Sequence, residues 1–278
     1  MSQQGHSTIR QRAERKAAKQ LEALSGRAIF RESPAGYTKH PEDNLIRGVE
    51  IGDFSADLTA GAGNELQDGS RDPAKFCASF SSSALAVNAF GPFRNHPHNL
   101  ELLGFKGFTE AQFEKPLPTG LRGTDPHLDF FAAGPAHIVS IESKFLEPLW
   151  PKTAKFADSY EGAINSLAEP AWQVVYRELK NNPRLFNFLD AAQLVKHYLG
   201  MRNTLGNLEA AQALLYVYWE PENAGELEEY CRHREEIAYF TGAVNYSQIK
   251  FVALSYRDLW EEWRESSLWS GMAAHLSN

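Results

Sequence analysis

Asp129, Glu142 and Lys144 are the residues of this chain whose types and spacing could do chemistry. Asp129 stands in His127-Leu128-Asp129-Phe130-Phe131, and the other two end the run Ile138-Val139-Ser140-Ile141-Glu142-Ser143-Lys144. Side chains alternate between the faces of a strand, so Glu142 and Lys144 project from one face and Val139, Ile141 and Phe145 from the other. Between the runs, Ala133-Gly134-Pro135-Ala136 has the composition of a turn. A hairpin closed there puts Asp129 opposite about residues 140–142. Two carboxylates and an ammonium would then meet at the rim of a sheet. Such oxygen donors can hold a hard divalent cation and activate a water. The competing reading is a solvated strand face whose Glu–Lys pair contributes little. The strongly apolar neighbours of all three residues speak for the first.

The elements that must position these groups follow from the apolar periodicity. Ile9, Ala13, Ala17, Leu21 and Leu24 predict a helix over 8–25. Residues 31–72 are rich in Gly, Pro, Asp and Asn and read as an irregular connection. A helical stretch over 73–93 is expected to start at Asp72-Pro73 and to end at Gly91-Pro92. Strands are expected at 112–117, 128–132 and 137–146, then helix over much of 152–182 and again over 186–199. The apolar run 214–219 reads as a buried strand. A helix over 226–239, a strand over 250–255 and a helix over 256–267 complete the order. The chain therefore reads as α/β, with a basic N-terminal helical arm at 1–30 and a single domain at 31–278.

Composition narrows the function classes. With 278 residues, 43% hydrophobic and 23% charged, the chain can bury a substantial core. No apolar run approaches the roughly 18–20 residues of a membrane helix, and residues 1–20 hold no apolar leader segment. Cys77 and Cys231 lack paired spacing, which fits free thiols in a reducing, cytoplasmic compartment. The net charge is −7, unevenly placed. Arg10, Arg12, Arg15, Lys16, Lys19 and Arg27 against Glu14 and Glu22 give residues 1–27 a net +4, leaving −11 for the rest. That arm could follow a phosphate backbone or simply present a solvated face. Ser81-Ser82-Ser83 has no Gly-x-Ser-x-Gly elbow, and no Gly-x-x-x-x-Gly-Lys loop is present. His96-Pro97-His98 and Cys231-Arg232-His233 lack the partner pairs of a zinc site. Trp260, Trp263 and Trp269 are spaced as a core stripe on a helix.

The order of elements around Asp129 and Glu142-Ser143-Lys144 resembles the PD-(D/E)xK nuclease superfamily, with Asp129 as the D and residues 142–144 as ExK. Leu128 stands where the motif name has proline, with Pro126 nearby. The strings TGLRGTDPHLDFF, IESKFLEPL, LDAAQLVKHYLG and LLYVYWEP are similar to a bacterial, PGN_0703-like group of restriction-endonuclease-like proteins, over about residues 45–265. The resemblance implies a restriction-endonuclease-like fold: a central mixed β-sheet flanked by helices, with an αβββαβ core and an added C-terminal helix-strand-helix. It implies Mg²⁺ as cofactor, with Mn²⁺ able to substitute, held by Asp129, Glu142 and the Ser143 carbonyl. Lys144 would orient the water or balance developing charge. Glu65 is a further ligand or an ordinary loop glutamate, and Glu114 is a weaker candidate from the first strand. Gln193 and Lys196 resemble the glutamine-bearing helix beside the site in exonuclease branches. The expected function is a DNA endonuclease of restriction or defence type, with a homodimer as the analogy for double-strand cleavage. A repair or structure-selective nuclease, one acting on RNA, and a non-cleaving nucleic-acid-binding module stay open as alternatives.

Overall fold

The computed structural model describes residues 8–61, 65–70, 72–206 and 208–265. Five strands form one mixed sheet in the order β1 (Glu110–Pro116), β2 (His127–Ala133), β3 (His137–Lys144), β4 (Ala211–Tyr218) and β5 (Ile249–Ser255). The first three pair antiparallel, and β3, β4 and β5 run parallel. The parallel centre explains the uninterrupted apolar run of β4, which is buried on both faces. The α/β, restriction-endonuclease-like architecture expected from the order of elements is the one observed.

Alternation along the strands separates two cores. Ile138, Leu214 and Tyr216 face a layer made by α5 (Pro170–Asn181), α6 (Ala191–Leu205) and α7 (Glu228–Val244). There Trp172 stacks on Tyr198, with ring centroids 4.0 Å apart. Val139, Ile141, Leu215 and Val217 face the opposite layer, made by α2 (Ser55–Ala60), α3 (Ser82–Arg94) and α8 (Tyr256–Glu265). In that layer Phe90 stacks on Phe130 and meets Trp263 edge-on. A short helix α4 (Ser159–Leu167) precedes α5. The N-terminal α1 (Ile9–Ser25) begins at a Thr8/Gln11 capping box and ends at Gly26 in the left-handed conformation. Its Ile9 and Ala13 rest on a third cluster, around Leu146, Leu149 and Tyr230. No helix among the described residues is long and apolar enough to cross a membrane.

Several boundaries differ from the periodicity, each for a local reason. Helix α3 starts at Ser82, because the Ser81 hydroxyl accepts the Ala84 amide at 3.1 Å and so caps it. Residues 75–77 form only a 3₁₀ turn, and α3 runs on through Gly91 and Pro92 to Arg94. Helix α6 starts at Ala191, where the Asp190 carboxylate accepts the Gln193 amide. Trp263 and part of Trp260 join the core as expected, and Trp269 lies outside the described residues.

Gly200 fixes how closely α6 approaches the segment after β1. A Cβ there would lie 2.5 Å from the Leu117 carbonyl oxygen and 2.8 Å from its Cβ. Gly200→Ala is therefore expected to destabilise the protein by about 1–3 kcal/mol, as overpacking does. Gly242→Ala in α7, where nothing lies within 4 Å, should instead stabilise by up to about 1 kcal/mol through helix propensity. Urea midpoints at unchanged m-value check both signs.

Candidate active site

The β2–β3 ladder opens at the residues that carry chemistry. Its last pair on that side is Phe130 with Ile141, so Asp129 and Glu142 come next and stand opposite, the register expected from the hairpin. They do not continue the ladder. Instead an Asp129 carboxylate oxygen accepts the Ser143 amide at 2.6 Å. The Lys144 carbonyl accepts the Trp219 amide on the β4 side, so alternation turns the Ser143 amide and carbonyl toward β2. The Ser143 hydroxyl is held from behind by the Tyr256 hydroxyl at 2.7 Å.

Glu142 does not lie on a solvated rim. It is 1% exposed, on the face covered by α6. Lys144 donates to one carboxylate oxygen, and His197 Nε2 lies 2.7 Å from the other. Burial by itself would raise the Glu142 pKa; the Lys144 ammonium and the His197 imidazole overcome it and hold it at about 2. Burial would equally lower Lys144, but Glu142, Asp129 and Glu147 keep it charged, well above the usual lysine range. The Lys144 side chain is 13% exposed, so it bridges the interior to a cleft.

That cleft measures about 590 Å³ and is lined by Asp129, Lys144, Gln193 and Glu65. Glu65 is held by Lys75 at 3.3 Å and by the Ser83 hydroxyl at 3.1 Å. Gln193 reaches the cleft from the first turn of α6. Lys196 does not; its ammonium lies 5.7 Å from the Phe156 ring centroid. Glu114 also lines the cleft, directly opposite Asp129 between the pairs Phe113–Phe130 and Lys115–Leu128. Its φ of 47° is left-handed, a conformation a non-glycine residue holds only when its surroundings impose it. Gly61 makes room for it, since a Cβ there would lie 3.0 Å from the Glu114 Cβ.

Carboxylates dominate this space. Glu65, Glu114, Asp125, Asp129 and Glu147 line it against Arg10, Lys75 and Lys144. Burial, then Glu65 and Glu142, push Glu114 up to about 7. Burial and the Glu142 charge push Asp129 well above the carboxylate range, although Lys144 and the Ser143 amide oppose them. Among the described residues, no three His, Cys, Asp or Glu side chains are gathered closely enough to hold an ion. The expected Asp129–Glu142–Glu65 set is thus not converged here, because Glu142 is turned to Lys144 and His197. The donor chemistry nevertheless fits a hard cation: oxygen ligands in excess, with unfavourable mutual repulsion that a positive ion would relieve.

His197, beside Glu142, is not among the residues singled out from the sequence, and Glu114, the weaker candidate from the first strand, lines the cleft. The signal for Glu114 was its register against Asp129, legible only once β1 is paired. The His96–His98 and Cys231–His233 fragments hold no metal set among the described residues; His233 instead bonds the Tyr216 hydroxyl at 2.9 Å.

The two glutamates pull the pH dependence of stability in opposite ways. Glu114 has a folded pKa of about 7 against 4.5, so the folded state holds a proton that the unfolded chain has lost. Its contribution is full below the unfolded value and disappears as pH rises through about 7, up to about 3 kcal/mol in all. Glu142, depressed to about 2, contributes above the unfolded value and loses that contribution as pH falls toward 2. In chelator, the melting temperature should fall from about pH 5 to about pH 8. Glu114→Gln should flatten that fall while leaving the acid limb in place, as followed by differential scanning fluorimetry.

A family model described as restriction endonuclease associating with ARP matches residues 12–278. No curated protein and no solved structure matches the chain. The match begins inside α1, two residues after Arg10, and takes in the whole sheet, the other residues lining the cleft and α8. Covering nearly the full length, it places the chain in the family of restriction endonucleases associating with ARP.

Proposed function

We propose that the protein is a Mg²⁺-dependent nuclease of the PD-(D/E)xK type that hydrolyses phosphodiester bonds of DNA. The observation that supports it best is the opened β2–β3 ladder. Asp129 and Lys144 enter one cleft from adjacent strands, and the Ser143 carbonyl faces the β2 side of β3. Asp129, the Ser143 carbonyl and Glu65 are the ligands this reading assigns, with Glu114 joining from β1. Glu142, which faces Lys144 and His197 in this structure, would have to release Lys144 to join them. Bound there, the ion supplies charge stabilisation at the phosphoryl group and a water nucleophile near neutral pH.

The chain's own groups do the rest. Asp129, fixed by the Ser143 amide, presents its second oxygen to the cleft. Lys144 keeps its proton in the interior and places a positive charge where negative charge grows on the phosphoryl group. Gln193 can donate and accept hydrogen bonds, which suits holding a water or a phosphate oxygen in line. Without a cation, five lining carboxylates against three cationic side chains would repel a phosphodiester.

Supercoiled and linear DNA incubated with the purified protein test this reading. Mg²⁺ or Mn²⁺ should support cleavage, Ca²⁺ should permit binding with little hydrolysis, and chelator should stop cleavage. Undiminished cleavage in excess chelator would sink the reading. Asp129→Asn should lower cleavage by at least about 100-fold and weaken Mn²⁺ binding measured by calorimetry. Lys144→Ala should also be inactive, but its burial adds a second effect. Leaving Glu142 with His197 alone should destabilise the fold by about 3 kcal/mol. Combining it with Glu142→Gln should recover much of that stability and none of the activity.

A further inference from the structure

Resting on the nuclease reading, we propose that α1 is a wall of the substrate cleft and that Arg10 binds a phosphate of the nucleic-acid strand there. Ile9 and Ala13 seat the helix against the cluster that includes Phe80, Phe145 and Trp150. This places Arg10 on the cleft lining. Its guanidinium carbon lies 4.0 Å from the Trp150 ring centroid, and its Nε donates to Glu14 at 2.6 Å. These two contacts fix the plane of the fork. Among the described residues, no acceptor meets the two terminal amino groups.

The other cations of the cleft are engaged. Lys144 donates to Glu142, and Lys75 lies 3.3 Å from Glu65. Arg10 differs from the two lysines in presenting two coplanar terminal amino groups that meet no acceptor among the described residues. A planar fork with two parallel donors matches two oxygens of a phosphate, which a lysine ammonium cannot do. An aromatic face that holds a guanidinium in place lowers the entropy lost when it engages the phosphate. Trp150 follows β3 by only a short turn, Glu147–Leu149, so the phosphate contact is tied to the strand that carries Glu142 and Lys144. The arm is then more than a diffuse positive charge: one of its arginines acts at a fixed distance from the reacting groups.

The test uses the full chain in Ca²⁺ and a fluorescein-labelled DNA oligonucleotide, single-stranded and as a duplex, with anisotropy followed across a range of NaCl. Arg10→Gln should weaken binding about tenfold, the effect of one charge-assisted contact. It should also make the slope of log K against log[salt] shallower by about 0.7 to 0.9. Trp150→Leu keeps every charge, so it should weaken binding several-fold while leaving the slope in place. Arg15→Gln removes the same charge from an exposed position of α1 and should leave both quantities near wild type. In Mg²⁺, Arg10→Gln should raise KM by more than it lowers kcat. Equal behaviour of Arg10→Gln and Arg15→Gln, with a wild type that binds, would overturn the Arg10 contact and leave the nuclease reading standing. A wild type that neither binds nor cleaves nucleic acid would overturn both.

Discussion

Glu142 keeps a full negative charge in the interior because Lys144 meets one of its oxygens and His197 stands at the other. Taking an ion out of water costs several kcal/mol even after the protein relaxes, and removing either partner leaves that cost uncompensated. The arrangement therefore demands that β3 and α6 hold their places together. Gly200 lets α6 come close to the segment after β1, and Trp172 stacked on Tyr198 holds the outer side of the same helix. The parallel pairing of β3 with β4 runs on through Glu142, Ser143 and Lys144, so the strand stays rigid at the position where its other neighbour parts from it.

That parting is what opens the site. On the β2 side the ladder ends at Phe130 and Ile141, and the amide that would have continued it is taken by the Asp129 side chain. A buried amide must find an acceptor, and a carboxylate that supplies one is itself fixed in direction. One hydrogen bond thus both terminates the pairing and aims a carboxyl group. Tyr256, from the first turn of α8, holds the Ser143 hydroxyl from the opposite layer. Both helical layers consequently contribute to where Asp129 and Lys144 point.

How much of this could be read beforehand follows from the range of each interaction. The hairpin and its register were legible because a short turn and alternating apolar residues determine them locally. Asp129 opposite Glu142 came from that alone. The sharing of Val139 and Ile141 by one core, and of Glu142 and Lys144 by the other face, was equally local. His197 was not legible: the helix was expected over 186–199, but its start at Ala191 depends on the Asp190 cap, and its facing on packing against the sheet. Glu114 needed the pairing of β1, whose left-handed residue no alternation pattern anticipates. The start of α3 was misplaced because Asp72-Pro73 carries a stronger local signal than Ser81. The contact of α1 with the cleft depends on Trp150, distant in sequence and joined to Arg10 only through the folded cluster.

The charges of the cleft connect these separate devices. Three carboxylates, Asp129, Glu114 and Glu65, are drawn from two strands and a loop into one volume, and the fold keeps them there against their repulsion. Burial makes that repulsion stronger than it would be in water. Lys144 relieves only part of it, because Glu142 already engages its ammonium. A site meant to stay empty would more easily have carried apolar or neutral side chains at these positions, as buried ion clusters often can without loss of stability. The left-handed backbone at Glu114 and the missing Cβ at Gly61 show the chain accommodating the carboxylate, not avoiding it. At Glu114 a local backbone rule is broken where positive charge brought from outside would relieve the repulsion. A divalent cation is such a charge, and the oxygen donors of the cleft have the chemistry to receive one.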